Sequence, residues 1–220
     1  MYICKKVLKM INIKDIIANF PSRDVCNTYV EPFGGTFSVG LSIEEPFISE
    51  IYNDNDKYIY DFFNVLNTPS LFDEFKKKCE NPELTNVSDV VNKSYEFFKS
   101  NKAGAETSLK NITPQKRSSN ATEMLGGVDG LLQLCTRLTR VIVTNRPPAS
   151  LIEKYCDEKS FTFCNTLNVK DDDIDSIIKV IITQGNMMLI LGDKRDAYSQ
   201  LENNGFRKIK IGDFFLWRNY

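Results

Sequence analysis

The strongest constraint on the fold is an alternation of short apolar runs, turns and helical spacing near the amino terminus. The run Thr28-Tyr29-Val30-Glu31-Pro32-Phe33 leads into Gly34-Gly35, and helical spacing begins at Phe37. A second run, residues 47–52, ends at Asn53-Asp54-Asn55-Asp56, and helical spacing returns over 58–66. Parallel strands cannot be joined by a tight hairpin; they need a crossover, usually a helix. Strand, glycine turn, helix, strand, acidic turn, helix is therefore the pattern of a βαβ unit with a further helix appended.

Five more strand-like runs fall at 140–144, 161–164, 187–191, 207–211 and 214–217, with helical candidates at 150–155, 174–182 and 196–203. The stretch 71–134 differs. It has little strand signal, Pro, Asn and Ser breaks, and helical spacing at 71–79, 87–99 and 128–138. An amino-terminal helix over 6–20, stopped by Pro21, completes the pattern. The expectation is an α/β fold in which residues 1–68 and 137–220 form one discontinuous α/β domain and 69–136 a mostly helical insert.

The chain has 220 residues, 42% hydrophobic and 26% charged, which is globular and can bury a real core. Lys+Arg 28 against Asp+Glu 29 leaves a net charge of -1, so no global basic field announces a nucleic-acid partner. The most basic local stretch holds Lys99, Lys102, Lys110, Lys116 and Arg117, with Glu106 its only acid. It reads either as a solvated loop or as a nucleic-acid patch. Histidine is absent, which excludes His-based acid–base chemistry, Ser-His-Asp and Cys-His sites, and every His-containing metal site. The six cysteines form no C-x-x-C pair and read as free, mostly buried thiols in a reducing, intracellular setting. Asp171-Asp172-Asp173 reads as a solvated turn whose charge suits the start of the next helix, and with no second acidic cluster no metal is expected. Neither a signal peptide nor a run of membrane-spanning length is visible, so the expectation is a soluble protein without a membrane partner, cytoplasmic or within a virus-infected cell or virion.

In an open α/β sheet, ligands gather at the carboxyl ends of the strands. The first strand ends in Glu31, Pro32, Phe33, Gly34 and Gly35, where glycine lets a ligand approach the backbone. The second ends in Asn53 and Asp54, where a carboxylate is placed to accept hydrogen bonds from ribose hydroxyls. A glycine turn followed by a downstream acid is the layout for an adenosine-containing cofactor.

The longer strings carry a resemblance. Residues 29–39, Tyr-Val-Glu-Pro-Phe-Gly-Gly-Thr-Phe-Ser-Val, resemble the first S-adenosylmethionine-binding motif of the Dam-like (D12 class) DNA adenine-N6 methyltransferases. Tyr52-Asn53-Asp54-Asn55-Asp56 with Asp61-Phe62-Phe63-Asn64-Val65-Leu66 resembles the second motif and its helix, and 141–146 with 151–155 the third. Residues 187–193 and 215–220 are similar to the last strands. The resemblance implies a Rossmann-like S-adenosylmethionine-dependent methyltransferase sheet with a helical target-recognition insert. It implies that Glu31 to Gly35 line the methionine end of the cofactor, that Asp54 holds the ribose, and that double-stranded DNA is met through the insert. It further implies that a flipped adenine is held after the fourth strand by an Asp/Asn-Pro-Pro-Tyr motif, the first side chain and a proline carbonyl accepting from the amino group and the Tyr stacking on the base.

At that point this sequence reads Asn165-Thr166-Leu167-Asn168. Both prolines are missing and Asn168 stands where the tyrosine would stack. An Asn can still accept a hydrogen bond and the Thr166 carbonyl remains, but losing the stack alone costs roughly 1–3 kcal/mol. The amino-terminal Gly-Gly-Lys turn of the family is replaced by Lys5-Lys6-Val7-Leu8-Lys9. The leading expectation is a Dam-like homologue with lost or strongly impaired methyl transfer, serving as a binding or scaffold subunit for DNA or another protein chain. One alternative is an active adenine-N6 methyltransferase that uses Asn165 and an aromatic borrowed from elsewhere, such as Phe33 or Tyr155. The other is a structural or interaction protein, viral or from a mobile element, that keeps only the fold.

Overall fold

The computed structural model describes residues 11–109 and 128–220. Seven strands form one sheet in the order β3-β2-β1-β4-β5-β7-β6: β1 Thr28–Glu31, β2 Ser49–Asn53, β3 Val141–Thr144, β4 Ser160–Asn165, β5 Met187–Gly192, β6 Arg207–Ile211 and β7 Phe214–Arg218. β1 pairs parallel with β2 and β4, β4 parallel with β5, and β7 enters antiparallel between β5 and β6. The order reverses direction beside β1, between β2 and β4. This mixed α/β sheet is the Rossmann-like arrangement expected from the sequence.

The helices are α1 Ile13–Ile17, α2 Ser38–Leu41, α3 Lys57–Asn67, α4 Pro69–Glu80, α5 Asp89–Leu109, α6 Val128–Leu138, α7 Pro148–Lys154, α8 Asp171–Ile182 and α9 Ser199–Asn203, the last preceded by a 3-10 turn, Asp196–Tyr198. Three of them start two or more residues earlier than their apolar spacing indicates; α8 begins at Asp171, so Asp171, Asp172 and Asp173 form its first turn rather than a turn before it. Pro69 and Pro148 begin α4 and α7 rather than preceding them, because the first helical position needs no N–H and proline already has the helical φ. α1 is short, capped by the Asn12 side chain accepting from Lys14 N at 3.1 Å, and the expected start of this helix lies outside the described residues. α5 runs on beyond the expected end at 99 to Leu109, so Lys102 stands on the same helix as Lys99. Lys110, Lys116 and Arg117 lie outside the described residues.

The chain divides into two compact units, Met1–Asn55 with Thr144–Tyr220, and Asp56–Val143. In the first, every residue of β4 and all but the first of β1 and β5 are buried, as expected for strands covered on both faces. Alternation along β1 puts Val30 on one face with Ile51 and Leu151. Tyr29 points to the other, where its ring lies 5.4 Å from Phe47 and 5.9 Å from Phe161. A second apolar cluster joins Ile174, Ile177, Ile178 and Ile181 of α8 to Met188, Ile190, Tyr198, Leu201 and Trp217. The hairpin β6–β7 closes the sheet, turning through Gly212 at φ 58°, and the edge strand β6 carries Arg207, Lys208 and Lys210, charges that discourage pairing with another chain.

In the second unit Phe62 of α3 is the hub. Its ring centroid lies 5.5 Å from Phe63, 6.1 Å from Phe75, 5.3 Å from Phe97 and 6.2 Å from Phe98, which binds α3, α4 and α5 together. Both Phe-Phe pairs thus serve helix packing. Cys26, Cys135 and Cys164 are buried free thiols; burial pushes Cys135 up to about 12 and Cys164 higher still, so neither is a nucleophile at neutral pH. Among the described cysteines Cys156 is the exposed one.

Candidate functional site

The exits of β1 and β2 carry the glycine turn and the acid. Gly34 hands its N–H to Asn53 O at 2.8 Å, and Phe37 N returns to Gly34 O at 2.7 Å, which closes the turn on itself. The Asp54 carboxylate accepts from Gly35 N at 2.7 Å, and the Tyr52 hydroxyl donates to Gly35 O at 2.7 Å. A Cβ on Gly34 would lie 2.1 Å from the Tyr52 ring, so glycine is required here by the packing of the chain itself. Phe37 starts α2 with a left-handed backbone, φ 54° and ψ 27°, a conformation that costs a non-glycine residue about 1–2 kcal/mol. Its buried ring packs edge-on to Tyr52 at 4.9 Å. In the sequence Tyr52 and Phe37 stand within the two motif strings, with no separate signal for this contact.

Two of the expected cofactor residues are turned inward. Glu31 is 2% exposed; its Oε2 accepts from the Tyr29 hydroxyl at 2.6 Å and from Gly40 N at 3.2 Å. Burial pushes its carboxyl up to about 8, against the pull of those two hydrogen bonds, so Glu31 is mostly a neutral acid at pH 7. Asn53 is fully buried, and its Nδ2 donates to Pro32 O and Arg146 O, both at 3.0 Å. Its Oδ1 accepts from Arg146 N at 2.8 Å and from the Thr144 hydroxyl at 2.9 Å. A primary amide offers two donors and two acceptor positions, and all are taken. Asn53 ties the exits of β1, β2 and β3 together. The adjacent Asn145 adds a bond from its Nδ2 to Asp54 O at 2.6 Å.

The exits of β4 and β5 form the other half. Asn165 is 9% exposed; its Oδ1 meets Leu167 N at 3.4 Å, and its Nδ2 donates to nothing among the described residues. Thr166 is fully buried. Its N and its Oγ1 both donate to Leu191 O, at 3.0 and 2.8 Å, and its Oγ1 also meets the Tyr198 hydroxyl at 2.8 Å. Its carbonyl accepts from Val169 N at 3.1 Å and from Arg195 Nη2 at 2.8 Å, which fills both lone-pair positions. Leu167 is half-buried and Asn168 is exposed, each inside a turn that leads to α8. Tyr198 packs face to face on Trp217 at 4.5 Å and covers Gly192, whose Cβ would lie 2.4 Å from its ring.

The fold thus brings residues 31–35, Asn53 and Asp54 together with the exits of neighbouring strands, and places Asn165 to Asn168 at the end of β4, the strand beside β1. Phe33, like Ala149, packs against the α8 cluster. Tyr155 does not. It packs on Val30, Ile51 and Leu151, and its carbonyl accepts from Ser160 Oγ, the residue that opens β4. Six residues of strand, roughly 16 Å at 3.3 Å per residue, separate that end from Asn165. Lys99 and Lys102 belong to the other unit. Arg195 was missed by sequence reasoning, since an arginine in a charged turn has no sequence signal to separate it from a solvated one. An adenosine-bearing cofactor fits the donor set in part: the Asp54 carboxylate sits beside a glycine turn at the ends of adjacent parallel strands, whereas Glu31 presents no carboxylate to a ligand. No group of three or more His, Cys, Asp or Glu is placed to hold a metal ion among the described residues, and no described helix is long and apolar enough to cross a membrane.

A family model, D12 class N6 adenine-specific DNA methyltransferase, matches residues 9–183, from before α1 to one residue beyond α8. Comparison with the curated proteins gives no match.

Proposed function

Because the chain belongs to the D12 class N6 adenine-specific DNA methyltransferase family, we propose that it is a member in which methyl transfer is lost or strongly impaired and which acts on DNA as a binding or scaffold subunit. Membership implies S-adenosylmethionine as methyl donor and DNA as substrate. In this reading the cofactor rests against the main chain of residues 32–35, with Asp54 on its ribose. Asn53 and Glu31 act from beneath, as a brace and as a buried acid, without touching it. The cofactor supplies the electrophilic methyl group when bound.

The observation that carries the reading is the filled carbonyl of Thr166. The family's scheme needs a backbone acceptor at this position for the amino group of the target base. Here both acceptor positions are taken, one by a guanidinium. A carbonyl with both lone-pair positions occupied has none left to orient the amine or to stabilise it as it gains positive charge on taking a methyl group. The exposed Asn168 adds no aromatic surface for the base. The Lys99 and Lys102 helix is the DNA-facing element in this reading, which also leaves room for a second protein chain as partner.

Incubation of the purified protein with labelled S-adenosylmethionine and adenine-containing duplex DNA tests this. The expected result is DNA binding without label transfer; N6-methyladenine formed at enzyme-like turnover overturns it. A second reading, an active adenine-N6 methyltransferase, is favoured by Asn165, whose Oδ1, the atom that would accept from the base's amino group, takes only a long contact from Leu167 N at 3.4 Å among the described residues, while the Asn53 amide is saturated. It requires Asn165→Ala to abolish transfer.

A further inference from the structure

The turn after β4 has none of the prolines that would stiffen it, and side-chain hydrogen bonds hold it instead. Thr166, Val169 and Asp171 lie on that turn and its helix start; Asp193, Arg195 and Tyr198 lie after β5. One side chain connects them. Arg195 Nε donates to Asp193 Oδ1 at 2.9 Å, Nη1 to Val169 O at 2.6 Å and Asp171 Oδ1 at 3.2 Å, and Nη2 to Thr166 O at 2.8 Å and the Tyr198 hydroxyl at 3.0 Å. A guanidinium has five N–H groups in a rigid fork, and here each has an acceptor. With the side chain only 20% exposed, three of those acceptors are neutral oxygens of the protein and two are carboxylates.

We propose that Arg195 is the positioning residue of the β4-exit turn: acting through the Thr166 and Val169 carbonyls, it locks that turn to the β5 exit and holds the Thr166 carbonyl closed. It does by side-chain hydrogen bonding what a stiff backbone would do by restricting φ. The fork matters more than the charge. Lysine at this position carries the same charge but only three N–H groups and no plane, so it cannot span both loops. The functional consequence, a base-side turn that is rigid but sealed, rests on the reading of 165–168 given above; the lock itself does not.

Amide hydrogen exchange on the unliganded protein, with Arg195→Ala and Arg195→Lys, tests the lock. Exchange at the Thr166 and Val169 amides is expected to accelerate tenfold or more in both variants, with the Phe163 and Leu189 amides of β4 and β5 unchanged. Low-millimolar guanidinium ion is expected to restore protection in Arg195→Ala, where it fits the vacated place, and ammonium ion is not. Unchanged exchange at 166 and 169, full protection in Arg195→Lys, or acceleration spread evenly over the sheet would each overturn the proposal. Because no DNA or cofactor enters this measurement, its failure is separable from failure of the methyl-transfer assay.

Discussion

The ring of Tyr52 occupies the space in which a side chain at Gly34 would sit, 2.1 Å from the place of its Cβ. A glycine that looks made for a ligand is thus already demanded by the packing of β2 against the turn after β1. The two explanations are compatible, but the internal one makes a sharper forecast. Gly34→Ala should destabilise the protein by about 1–3 kcal/mol, the usual cost of overpacking, since the backbone Asn53 O, 3.0 Å from the same place, crowds it as well. Urea unfolding measures this. Wild-type stability would mean that the ring moves aside freely.

Glu31 makes stability depend on pH in an unusual direction. Its carboxyl is raised from 4.5 to about 8 by burial, so between these values the folded chain holds a proton that the unfolded chain has released. Where the folded state binds more protons, stability falls as pH rises. The contribution is therefore intact below about 4.5, declines by up to about 1.4 kcal/mol per pH unit through the window, and levels off above about 8. Glu31→Gln keeps an oxygen for Tyr29 and Gly40 and should flatten the profile. Denaturant midpoints from pH 5 to 9 for both proteins check this; parallel profiles would contradict it.

Two asparagines at strand exits should behave in opposite ways. Asn53→Ala removes four hydrogen bonds and leaves Pro32 O, Arg146 O and Arg146 N without that partner, for a loss of about 2–4 kcal/mol. Asn165→Ala removes one contact at 3.4 Å and should cost under about 1 kcal/mol. Thermal melts of the two variants distinguish a brace from an uncommitted side chain; equal losses would refute the distinction.

Asn168 is exposed on its turn, so an aromatic can be added there without disturbing a core. If the base-side turn lacks only a stacking surface for binding, Asn168→Tyr should tighten binding of DNA containing an unpaired adenine by roughly ten- to a hundredfold, the value of one stacked base. Methyl transfer should stay low, because the Thr166 carbonyl remains filled. Equilibrium binding with fluorescently labelled duplexes, paired with the transfer assay, reads both arms; no gain in affinity would mean that 165–168 does not face the base.

Much of the sheet was legible because its signals are local. All seven strands coincide with apolar or alternating runs, and residues 28–56 announce a parallel pair through a glycine turn and an acidic turn. The helix starts at Pro69 and Pro148 were misplaced because a proline breaks a helix interior but suits its first position, and only the backbone course distinguishes the two. The helical spacing over 87–99 stops short of the end of α5 at Leu109, because residues 99–109 have no apolar stripe to extend it.

What the amino-acid order determined by itself was the class of sheet, the family and the identity of the residues at each strand exit, since these depend on near neighbours and on strings of residues. What only the tertiary structure decided was the use each side chain is put to. Asn53 and Asn165 are the same residue at equivalent strand ends; one is saturated by the two neighbouring strand exits and the other makes one long contact among the described residues. Arg195 comes from 29 residues along the chain to fill the Thr166 carbonyl. Hydrogen bonds are made between groups that folding brings within about 3 Å, and no local pattern encodes which distant partner arrives.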